Sequence, residues 1–498
     1  MLAAGGSAGV LGAALLASPS GATATIWIVD SLGDGDANAA NCAPPTNGAC
    51  TLRDALEAEQ TGDTITFAAS LSGGTINLTA TEGQLLVDHQ GVTITGPGSD
   101  SLSVNQTVAG KPVFYIVAYN DNVVMSGLKI TGGTDSGINA YGVADLTLID
   151  VEVTGNSGNG YGGGVVLENF YGDLTIRDSH IHGNTAAMFG GGLAVLPTAS
   201  PIPGPGHVLI TGTVISNNSA GLAGGGSILM NSESVTIENS TFSGNRARVG
   251  GAVFVYSGLD PVNITGSTFD GNSADYQGGA IMSAAANLTI SNSTFTANTA
   301  LAGGGLSAFD GLILTVNQST FTGNSATGVT APHSGGGGFN FLGTVAVTMS
   351  GTIVSANTAA VSGQGDVELF NDDQATVGTI TSTNSLLGDI DSRITLLGLG
   401  NVRSSIPGLG LLANNGGPTK TMALLAGSPA LNAGPVPVAT FAGNDYDQRG
   451  VGYPRVVGST VDIGAFEFEP EPEPTTTTVP GTASTTIAAN VVAPQFAG

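Results

Sequence analysis

The chain has 498 residues, with 78 Gly, 11 Lys or Arg against 37 Asp or Glu, and a net charge of −26. Charged residues make up 10% and apolar ones 41%, which excludes a disordered polyelectrolyte and leaves ample material for a core. The acidic balance argues against nucleic acid or anionic membrane partners, the GG and GGG clusters exclude collagen, and abundant Gly, Thr, Ser and Asn disfavour a helical bundle.

In chain order, residues 1–24 read as a signal peptide. Val10–Ala17 is a short apolar run, and Ala22-Thr23-Ala24 offers an A-x-A cleavage site. A buried helix or a lone anchor is the alternative, although the run is short for a membrane span. Cys42 and Cys50 enclose a turn-rich loop, and export would oxidise them to a disulfide. A zinc site is the competing reading, but two thiols with no nearby His suit zinc poorly. Asp34, Asp36 and Asn38 place oxygen ligands at i, i+2 and i+4, as in a calcium loop, without the closing Gly and bidentate Glu of an EF-hand. Beyond that calcium candidate no cofactor is expected. Leu52–Gln60 is the chain's one amphipathic helix, with Leu52, Ala55, Leu56 and Glu59 on one face. Residues 25–122 are thus expected to form an N-terminal cap and the first coils.

A repeat fills residues 123–400. The block apolar-Thr-Ile-x-x-Ser-Thr-Phe-x-x-Asn, then GG and a short apolar strand, recurs with Asn at 156, 184, 218, 245, 272, 298, 324 and 357. The underlying period is 26–27 residues. The two long spacings of 34 and 33 contain insertions at Pro197–Gly206 and Thr327–Gly336. Leucine-rich repeats share the length but need recurrent Leu and a helical segment. Three short strands per unit at this period predict an all-β, parallel β-helix. Alternate residues of each strand should stack on counterparts about 4.8 Å away in the next coil. Asn156, Asn184, Asn218, Asn245, Asn272, Asn298, Asn324 and Asn357 should form a structural ladder. GG should permit positive φ and close approach between coils. Residues 401–468 are expected to cap the far end, with Asp462–Phe468 as a last strand. Glu469 begins an alternating Glu-Pro run and a Thr-rich tail through 498, a linker composition with no membrane anchor in it.

The FSGN, FDGN, FTAN and FTGN segments with Gly250-Gly251-Ala252-Val253 and Gly278-Gly279-Ala280-Ile281 resemble the passenger repeats of polymorphic outer-membrane proteins. Cys50-Thr51-Leu52-Arg53-Asp54-Ala55-Leu56 resembles the CSLREAI motif of bacterial surface proteins. Asn414–Thr419, Gly427–Ala430, Asp447–Gly450 and Asp462–Glu467 resemble, in order, the choice-of-anchor Q domain. These resemblances cover residues 25–468. They imply a bacterial, exported, right-handed β-helix at the cell surface or outside the cell, associated with adhesion and with no shared catalytic residue set.

Parallel β-helices also host pectin lyases and polygalacturonases, so a polysaccharide lyase or glycoside hydrolase is the alternative function. Asp372-Asp373 is the only DD pair, and neither GHG nor RIK occurs. The richest cluster is Arg177, Asp178, His180 and His182, with both imidazoles expected to face outward; a solvated polar face is the simpler reading. Arg248 and Asp275 each lie three residues after a ladder Asn and are expected to be neighbours, with Tyr276 beside them as a glycan contact; a surface ion pair is the alternative. No catalytic residue is assigned. The expected partner is an extracellular polysaccharide or a neighbouring cell surface, and the expected state a monomer.

Overall fold

The computed structural model describes residues 24–469, apart from 44–48, 82, 118–121, 197–205, 231, 257–260, 286, 310, 330–334, 344, 361–364, 371–377 and 442. The expected signal peptide up to residue 23, the tail beyond Glu469, nearly all of the first insertion, half of the second and Asp372-Asp373 therefore lie outside the described residues. The fold is a right-handed parallel β-helix. Each full coil contributes four strands, one more than the sequence pattern predicts. Among the described residues the first sheet has 14 strands, typified by LTI, the second 13, typified by STF, and another 11, most of them following a GG pair. The additional sheet has 8 strands, such as Ser157–Gly158 and Thr185–Ala186, which follow the ladder Asn directly. Two-residue strands are too short for periodicity to reveal. In chain order these are the first, second, third (short) and fourth sheets.

Parallel pairing sets each residue on its counterpart in the next coil. Ile176, Ile210, Ile237, Ile264 and Ile290 are consecutive partners in the first sheet. In the second sheet Phe242, Phe269, Phe295 and Phe321 stack with centroids 5.0, 4.5 and 4.2 Å apart, and Phe339 of the fourth sheet meets Phe321 edge-on. Such pairs add about 0.5–1.5 kcal/mol each beyond area burial.

Two polar ladders hold the corners. Asn184 donates its backbone N–H and its side-chain Nδ2 to Asn218 Oδ1, each at 3.0 Å, and its Nδ2 also donates to the Val153 carbonyl. The same exchange repeats from Asn156 to Asn357, and Asp366 accepts the last pair of bonds at 2.9 and 2.8 Å. The second ladder is of hydroxyls, and the strand pattern had hidden it. Thr213 N–H donates to Ser240 Oγ, Ser240 to Ser267, Ser267 to Ser293 and Ser293 to Ser319, all at 3.2 Å. The residue before each ladder member turns left-handed, a conformation that favours Gly and Asn. Asn239, Gly266 and Asn292 serve the hydroxyl corner, while Gly244, Gly271 and Gly323 serve the Asn corner. Ala297 and Ala356 take that conformation there without either advantage.

Helix α1, Leu52–Ala58, packs on the first coil behind a Thr51/Asp54 capping box. The disulfide Cys42–Cys50, with Cα atoms 4.7 Å apart, ties its approach. Arg53 and Asp54 are buried as well as the apolar face.

The C-terminal region departs from expectation. Residues 404–468 do not close the end of the solenoid but run back along the outer face of the second sheet. Gly464 N–H donates to Gly351 O, Ala465 N–H to Thr320, Arg455 to Asn292, and Thr419 to Gly266 O. Gln448 binds Thr294, Thr268 and Thr419 together. A small core of Ile353, Leu386, Leu424, Ala430, Ile463 and Phe466 glues this return segment down. Asp462–Phe468 is irregular chain, not a strand, because its backbone groups bond to side chains and turns. The motif residues supply a buried charge network: Arg449 pairs with Asp447 at 2.6 Å, and fully buried Arg455 lies 3.9 Å from Glu467. Three acids, Asp447, Asp462 and Glu467, thus share the buried surroundings of two arginines. Burial, reinforced by the Asp462 and Asp447 carboxylates, pushes Glu467 up to about 8.

Three outcomes follow from the ladder corners, the GG turn and this network. Ala297→Gly and Ala356→Gly should each stabilise the protein by about 1 kcal/mol by relieving the left-handed strain. Gly251→Ala should destabilise it by about 3 kcal/mol, since a Cβ there would lie 2.2 Å from the Gly279 carbonyl oxygen; urea midpoints measure all three. Folded Glu467 keeps a proton that the unfolded chain releases above its ordinary value of 4.5. Its contribution to stability is therefore lost as pH rises from there to about 8. Glu467→Gln should remove that part of the slope, so the variant's urea midpoint should gain on wild type as pH rises.

Candidate functional site

The stacked coils expose outward columns of side chains, and among the described residues stretches of the fourth and second sheets break the Thr/Ser/Asn pattern. The first is on the fourth sheet. Val166, Ala194, Ile228 and Phe254 are successive outward partners there. Beside them, Tyr161, Phe189, Ala223 and Val249 form a row of single bridges. The Tyr161 and Phe189 rings stack at 5.6 Å and 7°. All of these but Tyr161 belong to one apolar cluster outside the main core. Above it opens a groove of about 580 Å³ lined by Tyr161, Phe189, Phe254, Tyr256, Met230 and Glu168, among others. Tyr256 is 49% and Tyr161 39% exposed, so two aromatic faces remain open to solvent. Burial, with Asp135 nearby, raises Glu168 above the ordinary carboxyl value, and this one acid stands on an otherwise apolar wall. This is the make-up of a ligand groove: apolar lining, few polar groups.

The second stretch is the part of the second sheet that the return segment leaves uncovered. Lys129, Glu152, His180 and Val214 are consecutive partners, as are Thr131, Thr154, His182 and Ser216. Glu152 Oε1 receives Lys129 Nζ at 2.8 Å and lies 2.9 Å from His182 Nε2. Burial opposes its charge, but the Lys129 and His182 bonds outweigh it and hold the carboxyl below its ordinary value. Burial and the neighbouring His182 depress His180, against the pull of Glu152, so His180 is biased to neutrality. The two imidazoles stack at 4.0 Å. Further along, Asp270 and Lys420 line a second groove of about 390 Å³ at the edge of the return segment. Four coil steps separate Glu152 from Asp270, roughly 19 Å at 4.8 Å per strand. A glycosidase pair needs about 5–9.5 Å. These two carboxyls cannot be such a pair.

The other sequence candidates fall as follows. Asp275 pairs with Arg246, not Arg248, at 2.8 Å on an exposed face. A bulge between Ala247 and Val249 shifts the register, so counting from the ladder Asn misplaces the partner. Arg248 instead sits over the Tyr276 ring at 5.7 Å, one residue from the row that borders the aromatic groove. Asp34, Asp36 and Asn38 do not act as one ligand set. Asp34 takes both nitrogens of the Arg53 fork and the Thr79 and Ala80 N–H groups. Asn38 caps the short turn Ala39–Cys42 and donates to Asn41, while Asp36 is exposed. His180 and His182 face outward around buried Ile181, but bonded to neighbours in adjacent coils. Neither Lys129 nor Glu152 drew notice in the sequence, since nothing local connects them to His182. The groove aromatics were equally silent, scattered across residues 161–256.

With the geometry in place, the family described as right handed beta helix region matches residues 164–343. Among solved structures the chain is similar to a pectate lyase, Pel9A, at 15% identity and a TM-score of 0.40, covering 90% of this chain and 97% of that one. It is also similar to a mannuronic acid specific polysaccharide family 6 lyase from human gut microbiota, at 12% identity and a TM-score of 0.34, over 75% of this chain and 82% of that one. No curated protein matches the chain. At such identities and TM-scores the two lyases bear on neither chemistry nor substrate.

Proposed function

We propose that the protein is an exported bacterial β-helix of the cell surface or matrix that binds extracellular polysaccharide along its side, in the aromatic groove of the fourth sheet. The observation that carries this reading is the pair of half-exposed tyrosines, Tyr161 and Tyr256, over an apolar floor with Glu168 on the wall. Tyrosine rings offer flat apolar area to the C–H faces of sugars and a hydroxyl for their hydroxyls. An extended glycan matches a groove whose lining side chains come from successive coils. Export is supported by the disulfide, which persists in oxidising compartments. Among the described residues no helix is long and apolar enough to cross a membrane.

One observation favours a second reading, polysaccharide cleavage on the uncovered strip. Glu152 is held ionised beside Lys129 and His182, so a base and a cation face the same solvent. Proton abstraction next to a uronate carboxylate needs that combination; hydrolysis would need a second carboxyl close by.

The two readings separate in one set of experiments. Purified protein should be retarded in gels containing one or more neutral or acidic polysaccharides, and Tyr161→Ala and Tyr256→Ala should each weaken retention about tenfold, on the order of 1.4 kcal/mol. Retention by no polysaccharide, or by both variants as well as wild type, removes the groove. Release of unsaturated or reducing ends that Glu152→Gln abolishes would establish the strip as an active site.

A further inference from the structure

The N-terminal end of the solenoid carries a cluster unconnected with either lateral face. Glu59 follows helix α1 as its C-cap, and Asp88 and His89 follow the strand Leu85–Val87. One ligand atom from each of the three lies within 4.8 Å of the other two. His89 Nδ1 stands 3.2 Å from Glu59 Oε1 and 3.3 Å from Asp88 Oδ1. A single N–H can point at only one of these two oxygens. An ion can hold all three atoms: ligands at about 2.0–2.1 Å in tetrahedral array lie roughly 3.3–3.4 Å apart.

A second observation is independent of that spacing. The Glu59 side chain is fully buried, and its Oε2 has no hydrogen-bond partner among the described residues. An unmet buried carboxylate oxygen is costly, and a cation is the group that would satisfy it. Asp88 and His89, by contrast, are partly exposed and line a cavity of about 360 Å³ that gives access from solvent. Asp63, the other acid near Glu59, is already committed, with Thr25 on Oδ1 and Trp27 and Gln60 on Oδ2.

We infer that Glu59, Asp88 and His89 form a binding site for one divalent transition-metal ion of the zinc class, fastening the cap helix to the second coil. One imidazole nitrogen with two carboxylates suits zinc or manganese, whereas calcium seeks six to eight oxygens. A fourth position faces the cavity, where water completes the coordination. The competing state is a protonated Glu59 hydrogen-bonded to His89 with no affinity for ions.

Untagged, EDTA-treated full-length protein titrated calorimetrically with zinc chloride should bind one ion per chain at micromolar or tighter affinity, and its melting temperature should rise. His89→Ala should weaken binding at least fiftyfold and Asp88→Asn about tenfold. Both residues are partly exposed, so circular dichroism should show both variants folded. His182→Ala, which removes an imidazole from the distant Glu152 cluster, should bind zinc as wild type does. No stoichiometric zinc binding, binding unchanged in His89→Ala, or binding lost in His182→Ala would overturn the assignment. Affinity for calcium above that for zinc would overturn it too. Polysaccharide retention by the groove is read separately and does not depend on this site.

Discussion

The buried asparagine column is the constraint on which the rest of the molecule depends. Each ladder amide sits in the core wall, where an unmet donor or acceptor costs about 1–3 kcal/mol. Each is satisfied only when the next Asn lies in register one coil away, accepting on Oδ1 from both a backbone N–H and a side-chain Nδ2. A slip of one residue would strip the bonds from that amide and turn the flanking Phe and Ile columns to the wrong face. Apolar stacking alone is tolerant of sliding; the amides are not. The hydroxyl ladder at the neighbouring corner applies the same condition a second time per coil, so the coil's two tight corners are both fixed before the wide GG turn is made.

A scaffold locked this way has little freedom except on its outside. Outward positions are spaced by the strand separation and carry no register duty, so they are where this chain can vary. On the second sheet, coils bearing Thr268, Thr294 and Thr320 are roofed by the return segment, and their hydroxyls bond to it. Small hydroxyl side chains are the ones that fit beneath a chain lying flat on a sheet. The coils just before that roof carry Lys129, Glu152, His180 and His182 instead, long and ionisable groups that need room and water. The return segment therefore divides one face into a glued half and an open half.

Most of the scaffold was legible in the sequence because its determinants are local and repeated. The period, the Asn column and the cap helix each follow from residues within about 30 positions of one another. The return segment was not legible: Gln448 meets Thr294 and Arg455 meets Asn292 across more than 150 residues, and no periodicity encodes such a pairing. Its Gly- and Pro-rich composition suggested a cover, and the error lay in which surface it covers. The ion pair expected between Arg248 and Asp275 forms with Arg246 instead for a smaller reason, a single bulge that offsets two otherwise equivalent strands, while Tyr276 does lie beside Arg248. The aromatic groove was invisible for a third: Tyr161, Phe189 and Tyr256 lie in different coils, and each alone reads as an incidental exposed aromatic.

Departures from the repeat carry more functional information than the repeat itself. Where successive coils place Thr on Thr or Asn on Asn, stacking explains the residue and nothing more is required. Tyr161 on Phe189, or Lys129 on Glu152 on His180, gains nothing for coil register that Thr would not supply, and each puts a large or charged group at the surface. The first set costs solvent exposure of apolar area; the second costs partial desolvation of charges. A chain of only 10% charged residues nevertheless gathers Lys129, Glu152 and two of its five His on three adjacent strands. The surfaces beside the ladder, not the ladder, are therefore where a ligand would be met.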